Sequence, residues 1–187
     1  MQAETVGGRA AYFDVKSLDA YAGGVPDEVD RLVEDWSRER PDTDVAPLQV
    51  LSRVTRLAQQ LDRARRAAFA AHQLDIWEFD VLSALRRAGS PYELSPGALV
   101  RETMVTSGTM TNRVDRLVAR QLVTRRADPG DRRGVLVRLT SAGRETVDAA
   151  LDALLASERD LLGGLPQAQQ RLLSDMLRVL VTPFDDG

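Results

Sequence analysis

The chain has 187 residues, 43% of them hydrophobic and 28% charged, enough apolar content for one sizeable core or for a small domain on a helical scaffold, and too much for a disordered chain. It holds no cysteine and a single histidine, His72, so disulfides, thiolate metal sites and cysteine nucleophiles are excluded and no ligand set for a structural metal remains. No apolar run approaches the roughly 18 residues of a membrane span, and the opening MQAETVGGRAAYFD lacks the basic-then-apolar order of a signal peptide; a cytoplasmic protein with no membrane partner is expected. The net charge of -3 conceals an asymmetry. Residues 101–144 carry ten arginines against four acids, a net of +6, which leaves -9 for the rest. Phosphate contacts need a local basic patch and not a basic average, so nucleic acid stays open as a partner.

In chain order, residues 1–25 show no sustained period and read as a partly ordered tail. Pro26 opens a helix at a position where a missing N–H is harmless, and Val29, Leu32, Val33 and Trp36 form its apolar stripe up to Pro41. Residues 45–71 extend a second, longer helical pattern, with His72 at its end as a solvated or capping residue. Asp75 caps a third helix, IWEFDVLSALRRAG, which stops at Gly89; the turn SPYELSP and a short helix from Pro96 come next. Thr140 caps a long helix to about residue 162, and a last one runs over residues 166–181. The terminal helices cannot bury their stripes alone, so they are expected to pack on each other and on a second copy, in a symmetric homodimer. The segments are then a tail (1–25), N-terminal helices for dimerisation (26–74), a central domain (75–140) and C-terminal dimerisation helices (141–187).

Residues 105–140 carry the functional signal: an amphipathic helix, an apolar strand, a turn-rich loop and a second strand that closes the hairpin. The fold class is therefore mainly α with a small β-hairpin wing, a winged helix-turn-helix. On the helix Met110, Val114 and Leu117 face inward; Thr109, Asn112 and Arg116 face outward, with Ser107 and Thr111 beside them at the N-terminal end. Short hydroxyls suit base edges or phosphates, Asn112 an adenine edge, and Arg116 a guanine or a phosphate of double-stranded DNA. The loop DPGD is a turn followed by Arg132 and Arg133; Arg132 is the candidate for a narrow minor groove, with Asp131 fixing its geometry or that of Arg133. An enzyme is disfavoured, because no nucleophile with a base partner, phosphate-cradling glycine loop or metal cluster is present, and no cofactor is implied. A winged helix that binds protein instead of DNA is the remaining alternative.

The run from residue 94 to 144, with its wing DPGDRRGVLVRLTSAGR, resembles the MarR family of transcriptional regulators, and the helical flanks extend the likeness over residues 26–181. That resemblance implies a homodimeric repressor or activator on a pseudo-palindromic operator, released by a small molecule. The extra N-terminal helix and four residues are similar to the urate-responsive branch: Trp36 in VEDW, Asp80 in EFD, Arg113 in TNR and Arg125 in TRR. The branch implies a pocket for a planar organic anion such as urate, clamped by arginine near tryptophan. Arg113 lies close to the inward face and needs a partner, so Asp80 or a neighbour is expected to hold it until an anion competes for the guanidinium.

Overall fold

A computed structural model describes residues 25–184, excepting the side chains of Arg132 and Arg133; the tail expected over 1–25 lies outside the described residues apart from Val25. The elements are α1 (Glu28–Glu39), α2 (Ala46–Ala70), α3 (Ile76–Arg87), β1 (Glu93–Leu94), α4 (Pro96–Thr103), α5 (Ser107–Ala119), β2 (Val123–Asp128), β3 (Asp131–Leu139), α6 (Ser141–Leu162), α7 (Gln167–Val181) and a 3-10 turn, Thr182–Phe184. This is the mainly helical chain with a small hairpin that the sequence predicts. Two compact units divide it, Met1–Leu57 and Ala58–Gly187, and α2 runs through the boundary. Among the described residues no helix is long and apolar enough to cross a membrane.

In the first unit Asp27, and not Pro26, starts α1. Its carboxylate accepts the N–H groups of Val29 (2.7 Å) and Asp30 (3.0 Å), while Asp30 accepts the N–H of Asp27 (2.8 Å), so reciprocal capping decides the first turn. Arg53 on α2 then reaches Asp27 (2.9 Å) and Asp30 (2.7 Å), and Arg56 pairs with Glu28. Partial desolvation pushes the Asp27 carboxyl up, but the Asp30 N–H, the Arg53 guanidinium and the Val29 N–H together outweigh it and hold its pKa below the usual carboxylate range. These charges are largely exposed, so solvent screening leaves each pair a minor contributor to stability.

The second unit has the apolar core. Met110, Val114 and Leu117 of α5, Leu82 and Leu85 of α3, Leu99 of α4, and Val123 and Val137 of the sheet are all buried in one cluster. Phe69, near the end of α2, stacks on Phe79 of α3 with ring centroids 4.0 Å apart. The sheet order is β1-β3-β2, all antiparallel, and the hairpin turns at Pro129 and Gly130, where Asp128 accepts the Gly130 N–H at 2.8 Å. Strand β1 falls where the sequence reads only as a turn. Two residues are too few for alternation to register, and pairing with Arg138 and Val137 of β3 creates the strand. Strand β2 is also less apolar than expected: only Val123 is buried, and as an edge strand it carries Arg125 and Arg126, charges that discourage pairing with another sheet.

The motif L-T-x-x-G at the end of the wing has a physical basis. Thr140 donates its hydroxyl hydrogen to the carbonyl of Gln121 (2.8 Å) or Leu122 (3.1 Å) and accepts the Gly143 N–H (2.9 Å), which caps α6 and ties it to the strand. Gly143 lies so close that a Cβ there would stand 2.0 Å from the Leu122 carbonyl oxygen. The apolar positions of α6 and α7 that do not face this core, among them Leu151, Leu155, Leu161, Met176, Leu180 and Val181, are exposed in the single chain. Gly143→Ala is expected to lower stability by about 2–3 kcal/mol in urea unfolding. A loss below about 0.5 kcal/mol would mean that this junction yields freely.

Candidate nucleic-acid interface and effector residues

Helix α5 begins at the N-cap Thr106, whose hydroxyl accepts the Thr109 N–H at 3.3 Å and lies 2.9 Å from the Thr109 hydroxyl. The Thr111 hydroxyl donates back to the Ser107 carbonyl at 3.1 Å. Ser107, Thr109, Thr111 and Asn112 are all exposed, as is Arg116. The Ser107 and Asn112 side chains have no hydrogen-bond partner among the described residues, so their donors and acceptors are available. The candidate reading residues thus share one polar end of a helix whose opposite face is core. Arg132 and Arg133 belong to the first residues of β3, beside the hairpin turn; their side chains lie outside the described residues.

Behind that face, α5 is locked to the start of α3. The carboxylate of Glu78, the one buried charged residue among those described, accepts from Arg120 at 2.6 Å and from the Asp75 N–H at 2.9 Å. The other arm of Arg120 donates to the Gln73 carbonyl at 2.8 Å, in a turn where Gln73 has φ +57°. Next to it, the guanidinium carbons of Arg113 and Arg116 stand 5.4 Å and 4.8 Å from the centroid of Trp77, whose indole N–H donates to Asp75 at 3.1 Å. Arg116 also lies 3.9 Å from Asp75. Sequence reasoning missed Trp77, Glu78 and Arg120. The available signal was Glu78 three residues after the cap Asp75, which reads as ordinary helix capping until Arg120 arrives from elsewhere.

Three of the four candidate effector residues lie in the second unit, and each has a separate partner there. Asp80 faces Arg65 of α2 at 3.6 Å, a residue the sequence did not single out, and Arg113 lies over Trp77. Arg125 of β2 pairs with Asp115 of α5 at 2.5 Å. Trp36 belongs to the first unit, where it lines a cavity of about 390 Å³ with Thr43, Asp44, Val45, Pro47 and Leu48. Among the described residues no group of acids and histidine is placed to hold a metal ion.

Residues 72–134, which contain α3 to β2, match the model of the MarR family. The HTH-type transcriptional regulator PecS of Dickeya dadantii is 35% identical over 150 residues, which cover 80% of this chain and 90% of that protein. The chain belongs to the MarR family. It is a DNA-binding transcriptional regulator and not an enzyme. Among solved structures, a mutant of the Escherichia coli MarR complexed with operator DNA is similar at a TM-score of 0.60 and 26% identity, covering 74% of this chain and 96% of that one. Bordetella bronchiseptica BpsR, in a structure concerned with regulation of DNA binding by 6-hydroxynicotinic acid, is 30% identical with a TM-score of 0.52, covering 68% and 98%. In this MarR regulator Arg120→Ala would strand the buried Glu78 carboxylate. The expected loss is about 2–3 kcal/mol of unfolding free energy, reduced from that of a fully buried pair because Arg120 is partly solvated, with a smaller loss for Glu78→Gln.

Proposed function

We propose that this MarR regulator is a homodimeric repressor that reads a pseudo-palindromic operator with α5 and the wing and is released from it by a small planar organic anion. The observation that carries the reading is the polar, unpartnered end of α5, with Asn112 and Ser107 free to bond, in a segment with a surplus of six positive charges. Operator DNA on the related E. coli MarR supports the partner. The apolar positions exposed on α6 and α7 support a second copy, since faces of this kind do not stay in water. In a dimer the two α5 helices meet half-sites about one helical turn apart.

Urate is the leading effector, on Trp36, Asp80, Arg113 and Arg125 taken together with the likeness to PecS over most of the chain. A different aromatic anion is the second reading, favoured by the 6-hydroxynicotinic acid of BpsR. Both ligands present a flat ring with an oxyanion edge, which a guanidinium fork can grip. To turn an operator complex from 99:1 bound to 1:99, the anion must prefer the released form by about 10⁴-fold.

Two measurements test this. In anisotropy titrations with the chain's own upstream DNA, Asn112→Ala should weaken binding about tenfold and relax the preference at one base pair per half-site. Arg132→Ala should weaken binding, most on sequences whose minor groove is narrow under the wing, and reduce the salt slope by about one. Duplex binding that ignores both substitutions would place the interface elsewhere. Adding urate or 6-hydroxynicotinate should release the wild-type complex, and Trp36→Phe and Arg113→Ala should shift the midpoint upward; a wild-type complex indifferent to millimolar amounts of both would remove the effector assignment and leave the DNA assignment standing.

A further inference from the structure

Most ion pairs of the second unit are closed hydrogen bonds, such as Arg120 with Glu78 (2.6 Å), Arg125 with Asp115 (2.5 Å) and Arg86 with Asp148 (2.8 Å). Two pairs are stretched beyond hydrogen-bond length, Arg65 with Asp80 (3.6 Å) and Arg116 with Asp75 (3.9 Å). Both acids belong to the first turns of α3 or its cap, and they bracket Trp77. At Arg65 the mismatch goes further: its Nε–H is buried and has no acceptor. The guanidinium lies 5.8 Å from the centroid of Phe69, which itself stacks on Phe79, so one side of this cation is aromatic and dry. Asp80 accepts no hydrogen bond in return among the described residues. A guanidinium carries five donors, and a buried one left unused is costly. Arg65 is therefore a cation with unspent capacity for an oxyanion, held loosely by a carboxylate that a stronger acceptor can displace.

We infer that Arg65 is a ligand residue of the effector site: the oxyanion edge of a planar organic anion docks on its partly exposed guanidinium and displaces Asp80. The inference rests on the proposed release by an anion and deepens it by naming the residue that Asp80 gives up. Helix α3 carries the effect to the DNA-facing side. Trp77 and Asp80 are three residues apart and share a face of that helix. When the anion takes Arg65, the freed Asp80 carboxylate is left one turn from the Trp77 ring that Arg113 and Arg116 share. Arg113, over that ring, has no carboxylate of its own among the described residues. Drawing Arg113 toward Asp80 turns α5 about the fixed Arg120 end and carries Asn112, its neighbour in sequence, off the base edges.

The test uses the full chain, urate and 6-hydroxynicotinate as probes, quenching of tryptophan fluorescence for direct binding, and anisotropy for operator release. Wild type should bind and release. Arg65→Gln should bind the anion at least about tenfold more weakly, the loss of one charge-assisted contact, Arg65→Lys should fall between, and Asp80→Asn should release the operator poorly even at anion concentrations that saturate it. Thermal melts check that each variant folds, and Asp80→Asn carries the test alone if Arg65→Gln does not. A wild type that responds while Arg65→Gln binds equally well overturns the role of Arg65 and leaves the effector reading intact. Asp80→Asn that binds and releases as wild type overturns the coupling through Asp80. A wild type that binds neither probe overturns the effector reading and this inference together.

Discussion

The carboxylate of Glu78 is the constraint around which the DNA-binding unit is organised. A buried charge must be paired, and this one has two donors from different parts of the chain, the Asp75 N–H at the start of α3 and the guanidinium of Arg120 just after α5. Arg120 in turn takes the Gln73 carbonyl, so the turn after α2, the cap of α3 and the end of α5 are specified at one point. Apolar packing of Met110, Val114 and Leu117 seats α5 in the core, and a directional restraint is added at its C-terminal end. The directional bonds at Arg120 supply that restraint, because a guanidinium fork tolerates little angular error.

With one end of α5 pinned, the freedom that remains is at its N-terminal half, where the exposed polar residues are. From its middle and last turn, the contacts to α3 beside Arg120 are of a softer kind: the Arg113 and Arg116 guanidinium groups over the Trp77 ring and a long pair from Arg116 to Asp75. Such contacts have shallow distance dependence and can be exchanged for a carboxylate at small cost. In the proposed mechanism, a helix fixed at one end and held more loosely elsewhere lets a modest electrostatic change on α3 displace the exposed polar residues of α5.

That arrangement also gives a reason for the composition of α3. Apart from Glu78, paired with Arg120, its buried side is apolar, with Phe79, Leu82 and Leu85, and its partly exposed side carries Trp77 and Asp80 toward the arginines of α5 and α2. In the proposed mechanism the helix acts as a balance between two cations, Arg65 on one side and Arg113 on the other, with Asp80 able to satisfy one of them at a time. The acidic remainder of the chain serves the same end, because it limits attraction to phosphate outside the basic segment 101–144.

Much of this was legible in the sequence. Helix periods, the caps Asp75 and Thr140, the turn at Pro129 and Gly130, and the polar and apolar faces of α5 all come from residues within about four positions of one another, the range over which backbone bonds and helix faces are set. Family membership was legible for the same reason, since the wing signature is contiguous. The tertiary structure decided what no local pattern contains. It made Glu93 and Leu94 a strand by laying them beside β3, explained Gly143 by the Leu122 carbonyl against it, and buried Glu78 under Arg120. It also gave Asp80 to Arg65 and Arg113 to Trp77, where the sequence had suggested joining Asp80 to Arg113. A long charged side chain can reach any of several partners, and its choice is set by how helices distant in sequence are laid side by side.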